Sequence, residues 1–181
     1  MKLIIVNGLP ATGKSTIAKS ISSELDIPMI GKDDIKEFLF DTLGVKDRKW
    51  STTLGKASSD SLYNIADILL ADGHSIIIES AFYVDYAKPK IDSLFEKYHP
   101  IVIEVYCSAN QEIRRQRFIN RAESGERHVG HVDHTNFLTD IDPEPLDTYA
   151  PIGVGRLLPV DTSNSKDVNI NTLCETIRSI K

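Results

Sequence analysis

Short apolar runs alternate with longer amphipathic segments along most of this chain. The runs are rich in Ile, Val and Leu and are bounded by polar or glycine-containing stretches, which is typical of strands buried in a parallel sheet. The pattern predicts five strands, at residues 2–7, 27–30, 75–80, 101–107 and 156–162. Pro159 in the last run predicts an edge position for that strand, because proline cannot donate a ladder hydrogen bond.

The segments between these runs place apolar residues three and four positions apart, which is the spacing of one helix face. They predict helices at residues 15–25, 35–43, 47–72, 83–98, 110–123 and 168–180. Pro89 is expected to break or restart the fourth helix. Strands that alternate with helices predict an α/β fold with a doubly wound parallel sheet, formed by a single domain over residues 1–181.

The segment between the first predicted strand and helix reads V-N-G-L-P-A-T-G-K-S-T and matches G-x-x-x-x-G-K-[ST] without a gap. A loop that wraps phosphates must turn its backbone N–H groups inward, and glycine permits this at low cost. Lys14 adds a point charge and Ser15 a hydroxyl for Mg²⁺, so the motif predicts ATP and Mg²⁺ as cofactors. The residues predicted to bind the nucleotide are Gly8, Leu9, Pro10, Ala11, Thr12, Gly13, Lys14, Ser15 and Thr16.

Acidic side chains follow two of the predicted strands. Asp33 and Asp34 come just after residues 27–30, and Glu79 lies at the end of residues 75–80. Ligands of open α/β sheets bind at the carboxyl ends of strands, so we expect at least one aspartate to be catalytic or to bind the acceptor. Capping of the next helix is the structural alternative for that pair. Glu79 is expected near Mg²⁺ or the acceptor, with a buried structural ion pair as its alternative.

Three arginines of the fifth predicted helix, Arg114, Arg117 and Arg121, fall on one face, whereas Arg115 points elsewhere. A solvated basic face is the usual role of such residues. Beside a triphosphate site, however, guanidinium groups can stabilise charge on a transferred phosphoryl group.

The polar, glycine-punctuated stretch that follows predicts a mobile lid at about residues 122–138. His128, His131 and His134 have spacings that a Zn²⁺ site could use, but no cysteine accompanies them. We therefore favour contacts of the lid, His128 among them, with the acceptor. Residues 141–151 contain three prolines and predict an irregular connection.

Composition narrows the class of partner. The chain has 41% hydrophobic and 26% charged residues, as globular proteins do, and its net charge of −5 gives no general attraction for polyanions. Its apolar runs are shorter than a bilayer span, and the first is shorter than a signal-peptide core. Cys107 and Cys174 form no C-x-x-C pair. We expect a cytoplasmic protein without a membrane partner, in which both cysteines are packed thiols.

These motifs together resemble those of a known group of enzymes. The P-loop, D-D-I-K at residues 33–36, I-I-I-E-S-A-F at 76–82 and the arginine helix leading into E-R-H-V-G-H resemble small kinases of the AAA_33 type. These are related to polynucleotide 5′-hydroxyl kinase, chloramphenicol phosphotransferase and the zeta-toxin kinases. The resemblance spans about residues 1–165 and implies the fold of nucleoside-monophosphate kinases, with a five-stranded sheet in the order 2-3-1-4-5.

The resemblance also implies roles for single residues. Asp33 matches the general base of the polynucleotide kinases, and Glu79 matches an acidic position of the acceptor site. Arg117 and Arg121 match arginines of the lid. Lys36 stands where those kinases carry an acceptor-binding arginine, and it lacks the planar fork suited to a phosphate.

Two further stretches match the group less completely. Many relatives have H-P-G-H where this chain has residues 128–131, and Val129 leaves that turn less rigid. Residues 162–164, Thr-Ser-Asn, lie where relatives contact the nucleotide base, and their side chains fit either purine.

The resulting hypothesis is in-line transfer of the γ-phosphoryl group of ATP to a hydroxyl of a small molecule. Asp33 would orient or deprotonate the hydroxyl, Lys14 and the lid arginines would offset charge, and Ser15 would hold Mg²⁺. The residues predicted to bind the acceptor are Asp34, Lys36, Glu79 and His128.

Two alternatives remain for the function. One is a nucleotide-dependent switch or slow ATPase without an acceptor, and the other is a 5′-hydroxyl kinase that acts on nucleic acid. The acidic net charge and the few basic residues near the acidic strand ends favour a small acceptor over nucleic acid.

Overall fold

In the computed structural model of this protein, which describes residues 1–125, 128–131 and 149–181, the central element is a sheet of five parallel strands. The strands are β1 (Lys2–Asn7), β2 (Met29–Gly31), β3 (Ile76–Glu79), β4 (Ile101–Ser108) and β5 (Arg156–Asp161). Their order is β2-β3-β1-β4-β5, and every neighbouring pair is parallel. The predicted fold class and strand order are therefore confirmed, and β5 lies at an edge as Pro159 predicts.

The helices within the described part of the chain cover both faces of this sheet. They are α1 (Lys14–Leu25), α2 (Lys32–Leu43), α3 (Arg48–Ala71), α4 (Val84–Tyr98), α5 (Gln111–Glu123) and α6 (Ile170–Ser179). Among the described helices, none combines the length and apolarity needed to cross a bilayer.

Each face of the sheet has its own hydrophobic core. Leu3 and Ile5 of β1 pack on one side with residues of α3 and α4, and Ile4 and Val6 pack on the other side with residues of α1 and α6. Because side chains alternate along a strand, a run that is apolar throughout is buried on both faces. This explains why β1 and β3 read as unbroken apolar runs and lie at the centre.

Helix α4 continues through Pro89, so the predicted break there is wrong. Proline removes the hydrogen bond to the carbonyl of Asp85, but both residues are exposed and water can solvate that carbonyl. The opposite face of the helix buries Ala87, Ile91 and Leu94, which keeps the helix in place.

One predicted boundary moves in a way that affects the site. Helix α2 begins at Lys32, so Asp33 and Asp34 lie inside its first turn rather than before it. Most of the predicted lid, including His134, and most of the predicted connection at residues 141–151 lie outside the described residues.

Candidate active site

The P-loop connects β1 to α1 with three residues at positive φ: Gly8 at 141°, Ala11 at 61° and Gly13 at 78°. Helix α1 begins at Lys14, and its N-cap Gly13 supplies no side-chain hydrogen bond. The first N–H groups of a helix lack intrahelical partners and carry partial positive charge. This helix end therefore suits an anion such as a phosphate.

The loop lies directly against the neighbouring strand at Gly8. A Cβ on Gly8 would lie 2.1 Å from the carbonyl oxygen of Cys107 in β4, so only glycine fits. Within the loop, the hydroxyl of Thr12 and the ammonium of Lys14 both donate to the carbonyl of Leu9 at 2.9 Å. These contacts brace the predicted nucleotide-binding residues in one conformation.

Four predicted site residues are brought together at the end of β1 and β3. The Ser15 hydroxyl donates to Oε2 of Glu79 at 3.2 Å. Burial lowers the pKa of Lys14, while the negative charges of Glu79 and Asp33 act to raise it. Burial also raises the pKa of the Glu79 carboxyl, while the Lys14 charge acts in the opposite direction. A hydroxyl and a carboxylate oxygen at the start of a phosphate-binding helix fit the preference of Mg²⁺ for oxygen ligands.

The two aspartates of α2 have different positions. Oδ2 of Asp34 accepts a hydrogen bond from the backbone N–H of Gly31 at 3.1 Å, which caps the first turn of the helix. Asp33 is half-buried, and its charge influences the pKa of both Lys14 and Glu79. Asp33 is therefore the aspartate whose charge acts on Lys14; Asp34 makes the structural contact, and its charge adds to that of Asp33 at Glu79.

Two arginines of α5, Arg117 and Arg121, lie near the P-loop. Arg117 donates to the carbonyl of Thr162 at 2.6 Å and to its hydroxyl at 3.2 Å, and that hydroxyl donates to the carbonyl of Thr12 at 2.6 Å. The charge of Arg121 lowers the pKa of Lys14, which places it near the same loop. Arg115 is exposed, as the helical spacing predicts.

The residues predicted to contact the base use their side chains locally. The hydroxyl of Ser163 accepts from the backbone N–H of Asn110 at 2.9 Å, and Oδ1 of Asn164 accepts from that of Lys166 at 3.3 Å. A base bound here would meet the backbone of this loop more readily than these two side chains.

His128 contacts α2 rather than the P-loop. Its ring stacks on Phe40 with centroids 5.3 Å apart and planes 7° apart, and its Nε2 lies 3.1 Å from Oδ1 of Asp41. Nδ1 accepts a hydrogen bond from the backbone N–H of Gly130 at 3.0 Å, which assigns the proton of the neutral ring to Nε2. Binding of the acceptor by His128 stays a prediction.

The rest of this turn is also docked on α2 and α3. Nε2 of His131 lies 2.9 Å from Oε1 of Glu37, and the hydroxyl of Ser51 donates to the carbonyl of Gly130 at 3.1 Å. A Cβ on Gly130 would lie 2.4 Å from the ring of Phe40, so the backbone touches that ring. Among the described residues, His128 and His131 thus face separate carboxylates instead of a shared metal centre.

Lys36 lies one helical turn beyond Lys32, between α2 and α3. Its Nζ would be 3.7 Å from a Cβ placed on Gly55 of α3, and it lies 5.4 Å from the ring centroid of Phe40.

Sequence reasoning missed a buried polar pair that supports the P-loop. Oδ1 of Asn7 accepts from the backbone N–H groups of Gly8 at 2.7 Å and Phe82 at 3.1 Å, and its amide donates to Glu104 at 2.9 Å. Glu104 also accepts from the backbone N–H of Ile152 at 2.9 Å. A carboxylate inside the apolar run of β4 was the available signal, because buried charges need partners.

The comparisons with known proteins agree with this geometry. The model of the AAA_33 family, described as an AAA domain, matches residues 3–137. The chain belongs to the AAA_33 family. A solved structure of a candidate kinase from Chloroflexus aurantiacus is 33% identical, covers 99% of this chain and 98% of its own, and superposes with a TM-score of 0.86.

Two curated relatives match at lower identity. An uncharacterized protein of Mycobacterium tuberculosis is 28% identical over 132 residues, which are 67% of this chain and only 26% of that protein. A 2-phosphoglycerate kinase of Methanocaldococcus jannaschii is 24% identical over 98% of this chain and 65% of its own length. Membership of the AAA_33 family and these kinase relatives support nucleotide binding and a phosphotransferase in general terms.

Proposed function

We propose that this protein transfers the γ-phosphoryl group of ATP to a hydroxyl of a small-molecule acceptor. The observation that carries the proposal is the grouping of Lys14 and Ser15 with Glu79 and Asp33 at adjacent strand ends. A phosphate-binding loop alone would serve any nucleotide-binding protein. Carboxylates beside it give a phosphotransferase the means to position a hydroxyl.

ATP would bind with its phosphates in the P-loop and at the start of α1. Backbone N–H groups and Lys14 would hold the phosphates, and the backbone after Thr162 would contact the base. Ser15 and Glu79 would hold Mg²⁺, directly or through water, and the ion when bound would draw charge away from the phosphate oxygens.

The residues around the phosphates would then divide the remaining work. Asp33 would accept a hydrogen bond from the acceptor hydroxyl, aim its oxygen at the γ-phosphorus and take its proton as the new bond forms. Lys14 and Arg121 would offset charge on the equatorial oxygens. Arg117, whose guanidinium is held beside the P-loop by its bonds to Thr162, would offset the same charge.

The acceptor is proposed to be a small hydroxylated compound. Among the relatives, the Methanocaldococcus protein is named as a kinase of 2-phosphoglycerate, a small hydroxylated compound. A strand of nucleic acid would need a series of Lys and Arg side chains along a groove, and affinity would fall steeply with salt. A cytoplasmic setting is part of this proposal, supported by two buried free thiols, Cys107 and Cys174.

The test offers the protein labelled ATP with sugars, hydroxy acids, nucleosides and 5′-hydroxyl oligonucleotides, together with a mass-spectrometric screen for extract metabolites that gain a phosphate. We expect a small compound to become phosphorylated at a rate that depends on its concentration. ATP hydrolysis that no acceptor changes and a protein partner stimulates would support a switch instead. Efficient labelling of the oligonucleotide would support the polynucleotide-kinase alternative.

A further inference from the structure

A narrow cleft lies next to the residues that the proposed function places at the reacting hydroxyl. It runs between the start of α2, the middle of α3 and the loop after β3. Lys32, which lines it, directly precedes Asp33, and Ser80, which also lines it, directly follows Glu79. An acceptor whose hydroxyl lies at Asp33 would therefore lie beside Lys32, and only a small part of it could enter a cleft of about 20 Å³.

The lining of the cleft combines aromatic rings, hydroxyl groups and a single ammonium group. Tyr63, Phe82 and Tyr83 supply rings, and Ser59 and Ser80 supply hydroxyls. Lys32 is the charged residue in the described lining. Rings and hydroxyls suit a small carbon skeleton with polar substituents, whereas an ammonium group selects negative charge.

Lys32 has no ion-pair partner among the described residues. The nearest acidic residue of α3 on this side, Asp60, accepts a hydrogen bond from Tyr86 and lies 3.6 Å from Nζ of Lys90. Its charge is thus engaged by Tyr86 and Lys90 of α4. A half-buried lysine beside aromatic rings gains most from an anionic ligand that shares its partly desolvated surroundings.

Lys36 extends this positive charge along the same face of α2. Residues four apart on a helix lie on one face, with α-carbons about 6 Å apart. The facing positions of α3 are also four apart, Gly55 opposite Lys36 and Ser59 beside Lys32, and both are small.

We propose that the acceptor carries an anionic group, a carboxylate or a phosphate ester, which Lys32 and Lys36 bind while its hydroxyl lies at Asp33. The inference rests on the proposed function, because it takes the space beside Asp33 as the acceptor site. It narrows the acceptor from small hydroxylated compounds in general to small hydroxylated anions.

The test compares neutral hydroxylated compounds with related anionic ones. Two sets serve: glycerol, glycerate and glycerol 3-phosphate, and glucose, gluconate and glucose 6-phosphate. We expect an anionic member to have a kcat/KM about 10- to 100-fold above its neutral counterpart, the range of a hydrogen bond to a charged group. Comparing the acceptors that carry a carboxylate with those that carry a phosphate shows which anionic group the lysines bind.

Variants of Lys32 then test whether this residue causes the preference for anionic acceptors. Lys32→Ala should raise KM for the anionic acceptor about 10-fold or more while the KM for ATP stays within about twofold. Lys32→Arg should retain the preference, because it keeps the charge. Lys19→Ala is the matched control, since Lys19 is an exposed lysine on α1 and its loss should change neither KM.

The outcomes separate this inference from the function on which it rests. Turnover that favours the neutral members, or an equal effect of Lys32→Ala on neutral and anionic acceptors, would overturn the inference and leave the phosphotransferase intact. No acceptor-dependent turnover with any member, nor with extract metabolites, would overturn both.

Discussion

Replacing Gly8 by alanine tests whether contact with β4 fixes the conformation of the P-loop. The added Cβ would lie 2.1 Å from the carbonyl oxygen of Cys107, and an ordinary contact of about 3.5 Å requires the two backbones to separate by about 1.4 Å. Both belong to the well-packed centre of the molecule, since Cys107 is fully buried. We therefore expect a shifted P-loop, with lower stability and weaker ATP binding.

The size of the effect follows from two contributions. A non-glycine residue held at positive φ costs about 1–2 kcal/mol, and overpacking a tight contact adds about 1–3 kcal/mol. Gly44 provides the control because its φ is 83° and a Cβ there would meet nothing within 4 Å. Gly44→Ala should therefore lose about 1–2 kcal/mol and Gly8→Ala about 2–5 kcal/mol of unfolding free energy.

Urea unfolding measures both variants, and calorimetric titration measures their affinity for ATP. Gly44→Ala should bind ATP as the wild type does, because that glycine lies between α2 and α3 and outside the P-loop. Equal losses of stability in the two variants, with unchanged ATP affinity for Gly8→Ala, would refute the packing argument.

Three further predictions concern the charged groups of the site. Lys14→Ala should fold normally and bind ATP more weakly, and unchanged calorimetric affinity would count against phosphate binding by this loop. Glu79→Gln should gain stability relative to the wild type as the pH rises from acidic to neutral. Because the pKa of Glu79 is raised by burial, the wild type loses stability as the pH rises through that pKa. In scanning calorimetry, the melting temperature of the variant should therefore rise relative to that of the wild type from acidic to neutral pH. A difference between the two melting temperatures that does not change with pH would disprove this. Arg117→Lys and Arg121→Lys keep the charge but lose the planar fork, so turnover should fall far more than ATP affinity. A pure loss of affinity in steady-state kinetics would make them binding residues for ATP only.

The strand order and the P-loop could be predicted because both depend on local sequence. A buried parallel strand reads as an apolar run, and the phosphate loop needs glycines at fixed spacing. The positions of Arg117 and Arg115 also followed from helical spacing alone. These features need no knowledge of which distant segment packs against which.

The remaining features depend on contacts between distant segments. The pair of His128 with Asp41 joins residues 87 apart, and that of Asn7 with Glu104 joins residues 97 apart. No local pattern predicts such pairs. Pro89 stays within α4 because tertiary packing of the buried face outweighs one lost hydrogen bond on the exposed face.

The different roles of the two aspartates also needed the structure. From the residue pattern alone, either Asp33 or Asp34 could cap the helix or take part in chemistry, and only the resemblance to the polynucleotide kinases favoured Asp33 as the general base. Because α2 starts at Lys32, the carboxylate of Asp34 accepts the hydrogen bond from the backbone N–H of Gly31. Asp33 is then the aspartate whose charge acts on Lys14. One residue of register thus separates the capping aspartate from the aspartate for which we propose the catalytic role.

That assignment gives the most direct test of the central claim. The measurement is the rate of acceptor phosphorylation in Asp33→Asn and Asp34→Asn, with ATP affinity measured on the same samples. Asparagine at position 34 can still accept the bond from Gly31, so Asp34→Asn should stay close to the wild type. Asp33→Asn should bind ATP normally and lose about 10²- to 10⁴-fold in turnover, the usual effect of removing a general base. An active Asp33→Asn enzyme, or an inactive Asp34→Asn enzyme that still binds ATP, would contradict the account.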